Sequence, residues 1–115
     1  QRISRTWSAT PLAPGMIVSN EPGYYRDDAF GIRCENLVVV CEGAEQDFER
    51  PMLRFEALTL VPFDRRLVDV GLLAEGELDW LDAYHARVAE TVMPLLEAPS
   101  DRDWLQAATA PIQRD

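Results

Sequence analysis

The sequence predicts an α+β fold in which antiparallel strands occupy the first half of the chain and helices occupy the second. Residues 31–41 form an apolar run rich in β-branched side chains, which is typical of a buried strand. Residues 55–61 alternate between two faces, as a further strand does. From Leu78 to Leu95 the period changes to helical spacing. With 115 residues and 47% hydrophobic residues, the chain has room for one domain with a modest core.

Turn signals divide the first half of the chain into short segments. The Pro14-Gly15 pair and the Pro22-Gly23 pair each predict a turn. Pro62 is expected to stop the strand at residues 55–61. The segments that remain are expected to be a strand at residues 16–19, a polar connection at 24–30 and a charged loop at 42–50.

The second half is predicted to hold two helices. The first presents an apolar stripe, and Pro94 is expected to kink or end it near its last turn. Ser100 and Asp103 resemble a capping box, which predicts a second helix to about residue 109. His85 falls on or beside the stripe and is expected to be a hydrogen-bonded packing residue rather than a metal ligand. The stripe consists of Leu78, Leu81, Tyr84, Val88, Val92 and Leu95.

Charge and cysteine content exclude some classes of partner. The net charge is −9, from 20 acidic and 11 basic residues. Such a field repels phosphate backbones and anionic membranes, so we expect neither nucleic acid nor a membrane as a partner. No apolar stretch reaches the length of a membrane span, and no signal peptide is recognisable. Cys34 and Cys41 would lie on opposite faces of one strand. Free thiols suit a reducing compartment, so a cytoplasmic protein is expected.

A pair of glutamates is the strongest chemical signal in the sequence. Glu21 follows the first predicted strand and Glu35 lies in the long apolar strand, so a hairpin would bring the two carboxylates together. Two carboxylates can hold a pair of divalent cations. An ionised carboxylate in a buried strand is costly unless it is paired or bound to a metal. The alternative is that Glu35 and Arg33 form ion pairs at the sheet surface without a metal.

Two motifs resemble the last two metal-binding motifs of Xaa-Pro aminopeptidase, also called aminopeptidase P, a pita-bread metallopeptidase. They are Asn-Glu-Pro-Gly-Tyr-Tyr at residues 20–25 and Gly-Ile-Arg-Cys-Glu-Asn at residues 31–36. The resemblance extends to the C-terminal extension of the large, three-domain cytosolic form, through residues 55–62, 80–85 and 104–112. It implies that residues 1–62 are the C-terminal strands of a pita-bread catalytic domain. Residues 63–115 would then be the helical C-terminal extension.

The resemblance also implies roles for individual residues. In that family two aspartates, one histidine and two glutamates hold two divalent metal ions, usually Mn²⁺. Glu21 matches the first glutamate and would also relay the proton of the nucleophile. Glu35 matches the second, which bridges the metals. Arg33 and Tyr25 match positions that support the site by hydrogen bonding. The remaining ligands are expected upstream of Gln1, so the chain by itself is expected to be inactive.

The implied activity is removal of the N-terminal residue from peptides with proline in second position, by a homodimer. Two rivals share the fold. Prolidase generally lacks the extension that residues 55–112 resemble, and creatinase-like members work without metals, which the retained Glu21 and Glu35 disfavour. A third alternative is an interaction or dimerisation module with vestigial carboxylates. The sequence upstream of Gln1 would separate these alternatives.

Overall fold

A computed structural model describes residues 10–43 and 51–113 of the chain. Their contacts divide the protein into two compact units, one up to Thr59 and one from Leu60. Strands precede helices, as the α+β prediction requires. The strands and α-helices of the described residues are β1 (Ile17–Asn20), β2 (Gly23–Arg26), β3 (Phe30–Arg33), β4 (Asn36–Glu42), β5 (Leu53–Ala57), α1 (Glu75–Val92) and α2 (Pro99–Ala108).

The first unit contains a three-stranded antiparallel sheet with β4 in the middle, between β1 and β5. Asn36, Val38 and Val40 are buried, because alternate residues of a strand point to the same face. At the entry to this sheet, the predicted turn at Pro14-Gly15 is confirmed by a hydrogen bond from Met16 N–H to Ala13 O of 3.1 Å.

A second, two-stranded sheet formed by β2 and β3 corrects the sequence analysis. The polar connection predicted at residues 24–30 is in fact most of a hairpin. Its strands carry aromatic and β-branched residues, which favour extended backbone over loop. Only the tip of the hairpin is a turn, where Ala29 N–H donates to Arg26 O at 3.1 Å and Asp28 adopts a φ of 55°. The turn predicted at Pro22-Gly23 is wrong, because Gly23 begins β2.

The single long strand predicted at residues 31–41 is also wrong. The chain leaves β3 after Arg33 and enters β4 at Asn36, so the two halves of the apolar run belong to different sheets. Cys34 lies in the link, and both cysteines are free thiols. The strand expected at residues 55–61 is observed at Leu53–Ala57. It ends five residues before Pro62, so the proline is not what stops it. Of the predicted loop at 42–50, residues 44–50 lie outside the described residues.

The second unit is built on α1, whose predicted apolar stripe is confirmed from Leu78 to Val88, whereas Leu95 lies beyond the helix and is exposed. Leu78 and Leu81 pack with Ile112, while Tyr84, His85 and Val88 are also buried. The effect predicted for Pro94 is confirmed, because α1 ends at Val92 and a 3₁₀ turn follows at Met93–Leu95.

The capping box predicted at Ser100 and Asp103 is wrong. The helix α2 begins at Pro99 and Ala98 occupies the N-cap position, two residues before Ser100. Proline suits the first helical position because its φ is preset and it lacks the N–H that would go unpaired there. Within the described ranges, no helix is both long and apolar enough to cross a bilayer.

Candidate metal centre

The two strand pairs place Glu21 and Glu35 on facing segments of the chain. Asn20 lies opposite Asn36 in the pairing of β1 with β4. On the other side of the glutamates, Gly23 lies opposite Arg33 in the pairing of β2 with β3. Cys34 N–H donates to Pro22 O at 3.0 Å and holds the two links together. The predicted approach of the glutamates across antiparallel strands is therefore present in the fold.

The guanidinium group of Arg33 contacts both carboxylates. Its Nη1 lies 3.1 Å from Glu21 Oε2, and its Nε lies 3.9 Å from Glu35 Oε2. The alternative ion-pair arrangement that the sequence left open is thus realised among these residues. Both glutamate side chains are 43% exposed. The burial expected for Glu35 is not found, because β4 starts only at Asn36 and Glu35 lies in the link between the sheets.

Ser19 is a member of this cluster that the sequence analysis missed. Its hydroxyl group donates to Glu21 Oε1 at 2.6 Å. This hydrogen bond is the main cause that lowers the pKa of Glu21 below its usual value, and the hydrogen bond and charge of Arg33 lower it further. The signal was available in the spacing, since residues two apart in extended backbone project to the same side.

Tyr25 lies in β2 opposite Gly31 of β3, and its ring covers that glycine. A Cβ atom on Gly31 would lie 2.7 Å from Tyr25 Cδ1, so the ring position depends on the glycine. Among the described residues, no hydrogen bond joins the Tyr25 hydroxyl to Glu21 or Glu35. Its supporting role at the site therefore stays a prediction.

The donor chemistry of Glu21 and Glu35 suits a hard divalent cation, because carboxylate oxygens are the ligands that such ions prefer. The two carboxylates also converge on one group, Arg33, as two ligands of a shared site would. They are only a partial donor set. In the part of the chain that the structure describes, no group of three or more histidine, cysteine or acidic residues could hold a metal ion.

His85 is a packing residue of the second unit, as the sequence predicted. It is fully buried, and its Nε2 accepts a hydrogen bond from Phe63 N–H at 3.0 Å. Burial lowers the pKa of His85, the charge of Arg65 lowers it further, and Asp82 acts in the opposite direction. A neutral imidazole in this position stabilises the approach of Phe63 to α1.

Comparison with known families assigns the class of protein. Residues 1–42 match metallopeptidase family M24, and residues 51–112 match the C-terminal region of peptidase M24. The chain therefore belongs to metallopeptidase family M24. Residues 43–50 lie between the two matches, and the contacts divide the chain after Thr59. The domain boundary predicted after residue 62 stays a prediction.

Within this family the chain is similar to Xaa-Pro aminopeptidases, as the motifs predicted. It is 49% identical to aminopeptidase P2 of Arabidopsis thaliana over 99% of this chain. It is 47% identical to a probable Xaa-Pro aminopeptidase P of Tuber melanosporum over 92% of this chain. These alignments cover only 16% and 18% of the two relatives, so the chain spans less than a fifth of their length.

A solved structure supports the same placement. The X-prolyl aminopeptidase of Caenorhabditis elegans, described as a cytosolic enzyme with a di-nuclear active site, matches 88% of this chain and 17% of its own. The TM-score is 0.78 at 38% sequence identity. The predicted α+β class and the pita-bread relationship are confirmed.

Proposed function

We propose that this chain is the C-terminal part of an Xaa-Pro aminopeptidase, which hydrolyses the bond between an N-terminal residue and a following proline. The observation that carries the proposal is the convergence of Glu21 and Glu35 on Arg33, in a chain that belongs to metallopeptidase family M24. The similarity to relatives named Xaa-Pro aminopeptidase supports the choice of substrate. A peptide with proline in second position is therefore the proposed partner.

Glu21 and Glu35 would hold two divalent cations, for which Mn²⁺ is our proposal. Two aspartates and a histidine, implied by the family resemblance, would complete the ligand set from outside the chain. The di-nuclear site named for the C. elegans relative supports the count of two. Bound ions of this kind polarise a scissile carbonyl and lower the pKa of a bound water. Two carboxylates alone cannot do this, so the chain by itself is proposed to be inactive.

The residues of the chain would have separate tasks. The carboxylate of Glu21 is ionised at neutral pH even with an ordinary pKa, and Ser19 and Arg33 lower that pKa further, which suits metal ligation. For Glu21 to accept a proton from the nucleophile, the contact with Arg33 must loosen, because that cation favours the ionised carboxylate. Glu35 would serve as the bridging ligand. Arg33 would orient both carboxylates, and Tyr25, fixed over Gly31, would border the site.

Three further properties belong to the same proposal. The whole protein is proposed to be cytoplasmic, in line with the cytosolic C. elegans relative and with two free cysteines. The net charge of −9 disfavours nucleic acid and anionic membranes as partners. A homodimer is proposed as the assembly, and equilibrium sedimentation of the whole protein tests it.

The central experiment measures Mn²⁺-dependent release of the first residue from an Xaa-Pro-Xaa peptide by the whole protein. Glu21→Gln and Glu35→Gln are each expected to lower kcat by about 10²-fold or more, since each removes a ligand charge and Glu21 also a proton acceptor. Glu97→Gln, a change of the same kind at an exposed position in the second unit, is the matched control and should leave kcat unchanged. Retained turnover in Glu21→Gln would contradict the assignment.

The contact of Arg33 with both glutamates also fits a second candidate, a non-catalytic module in which Arg33 alone balances the carboxylates. The two candidates differ in metal content. The module predicts that the purified whole protein contains no stoichiometric Mn²⁺ and that no Xaa-Pro peptide is cleaved. The isolated chain, with its intact mass verified, should be inactive under either candidate, and turnover by it would mean that ligands within the chain were overlooked.

A further inference from the structure

We propose that Ser19 is a positioning residue, whose hydroxyl group holds the carboxylate of Glu21 in the orientation that a bound cation requires. The inference rests on the proposed function, because it concerns the same site. It assigns a task to a residue that neither of the two motifs contains.

The geometry gives Glu21 one donor on each oxygen. Ser19 Oγ donates to Oε1 at 2.6 Å, and Arg33 Nη1 donates to Oε2 at 3.1 Å. Ser19 lies in β1, where the backbone pairing with Leu37 of β4 fixes its position. A donor that is anchored in a strand two residues before its acceptor holds that acceptor without relying on any distant segment. The glutamate side chain, which has several rotatable bonds, is thereby restricted to few conformations.

The two donors differ in what they do to an arriving cation. The guanidinium group of Arg33 is positively charged and lies against both carboxylates, so it opposes a second positive charge at the same oxygens. The hydroxyl group of Ser19 carries no net charge. Each carboxylate oxygen has more than one lone pair, so Oε1 can accept the serine hydrogen bond and still bind a metal. Ser19 is the donor that can stay in place in the metal-bound state.

This difference explains why Ser19, rather than Arg33, can keep Glu21 oriented once a cation is bound. Both carboxylates are 43% exposed, and an exposed side chain must give up conformational freedom when it binds a cation. A hydrogen bond that already exists before binding reduces that cost and so raises metal affinity. Partners that orient metal ligands in this way typically contribute about 10–100-fold in metal affinity or activity.

The test compares Ser19→Thr with Ser19→Val in the whole protein, because the two replacements have the same shape and differ only in the hydroxyl group. Mn²⁺ affinity is measured by calorimetric titration of the metal-free protein, and kcat and KM are measured on an Xaa-Pro-Xaa peptide. We expect Ser19→Val to weaken Mn²⁺ binding by about 10-fold and Ser19→Thr to keep most of the affinity. Ser100→Ala, at an exposed serine of α2, is the control and should change nothing.

A second measurement separates positioning from structural support. In a Glu21→Gln background, Ser19→Val should cause no further loss of Mn²⁺ affinity, because the two residues act through one contact. Equal affinity of the valine and threonine variants, or an additive loss in the double variant, would overturn the inference while leaving the proposed function intact. If the unsubstituted protein neither binds Mn²⁺ nor cleaves the peptide, the proposed function fails, and the inference fails with it.

Discussion

Arg33 determines how the two glutamates meet. Its ion pair with Glu21 is half exposed, and exposed ion pairs contribute little to stability because water and salt screen them. The contact is therefore strong enough to orient the carboxylates and weak enough to give way to a divalent cation, whose charge is larger. The same argument explains why an ion pair and a metal site are not exclusive interpretations of this cluster.

His85 provides a prediction at the scale of one residue. Its pKa is below the ordinary value of 6.5, because burial disfavours the charged ring and the nearby charge of Arg65 lowers the pKa further. The unfolded chain therefore binds a proton at higher pH than the folded chain does. Stability should be full above pH 6.5 and should fall as the pH decreases below that value. Thermal unfolding followed by circular dichroism between pH 7.5 and pH 5 measures the effect.

The attribution to His85 can be checked because the chain contains no second histidine. His85→Gln offers an amide oxygen to Phe63 N–H and does not titrate, so its unfolding midpoint should vary less with pH over this range. The substitution is expected to lower the stability by about 1 kcal/mol through imperfect packing. An equally steep pH dependence in His85→Gln would show that other groups carry the effect.

At the scale of elements, two glycines give a matched pair of predictions. A Cβ atom would meet nothing within 4 Å at either Gly15 or Gly76, so crowding cannot distinguish them. Gly15 has a φ of 86°, where a side chain is strained, whereas Gly76 lies in the first turn of α1. Gly15→Ala should destabilise the protein by about 1 kcal/mol. Gly76→Ala should stabilise it by about 0.5–1 kcal/mol.

Denaturant unfolding of the two variants beside the unsubstituted protein measures these changes. The two changes in stability are expected to have opposite signs. Neither position is crowded, so the difference comes from the backbone conformation, which is left-handed at Gly15 and helical at Gly76. A destabilised Gly76→Ala variant would mean that the backbone at Gly76 does not have the regular helical conformation that alanine favours. A neutral Gly15→Ala would mean that the turn at Pro14-Gly15 contributes little to stability, although its φ demands a glycine.

At the scale of the whole molecule, the acidic charge and the proposed metal centre make metal removal informative. Arg33 contacts both carboxylates and partly balances their charge. A bound divalent ion would add to this balance and would stabilise the folded state by mass action. Chelation of the metal should lower the unfolding midpoint of the whole protein. The loss is expected to be about 2.7 kcal/mol when the free ion had been present at 100 times its Kd.

Glu35→Gln serves as the comparison for this measurement, since it removes one proposed ligand. Its midpoint should start lower and should respond less to the chelator. If chelation shifts both proteins equally, the ion that is removed is held somewhere other than at Glu35. If it shifts neither, no bound ion contributes to the stability of the fold.

The sequence by itself determined the α+β class, with strands before helices, and the pair of glutamates, but not the individual strands of the first half. The helical spacing of the apolar residues predicts α1, and Pro94 predicts where this helix ends. Both are local properties of the sequence. The sequence also predicted that Glu21 and Glu35 would face each other, because the chain reverses direction between two antiparallel strands and brings their ends together. Membership of metallopeptidase family M24 agrees with the motifs that carry these residues.

Only the tertiary structure decided where the apolar run at residues 31–41 breaks. Both halves have the same β-forming composition, so nothing local marks Cys34 and Glu35 as a link; the division arises because β3 pairs with β2 and β4 pairs with β1. The same pairing leaves Glu35 in the link between the two sheets, where its side chain is exposed. Pairing partners are chosen by contacts between distant segments, and periodicity within one segment cannot specify them.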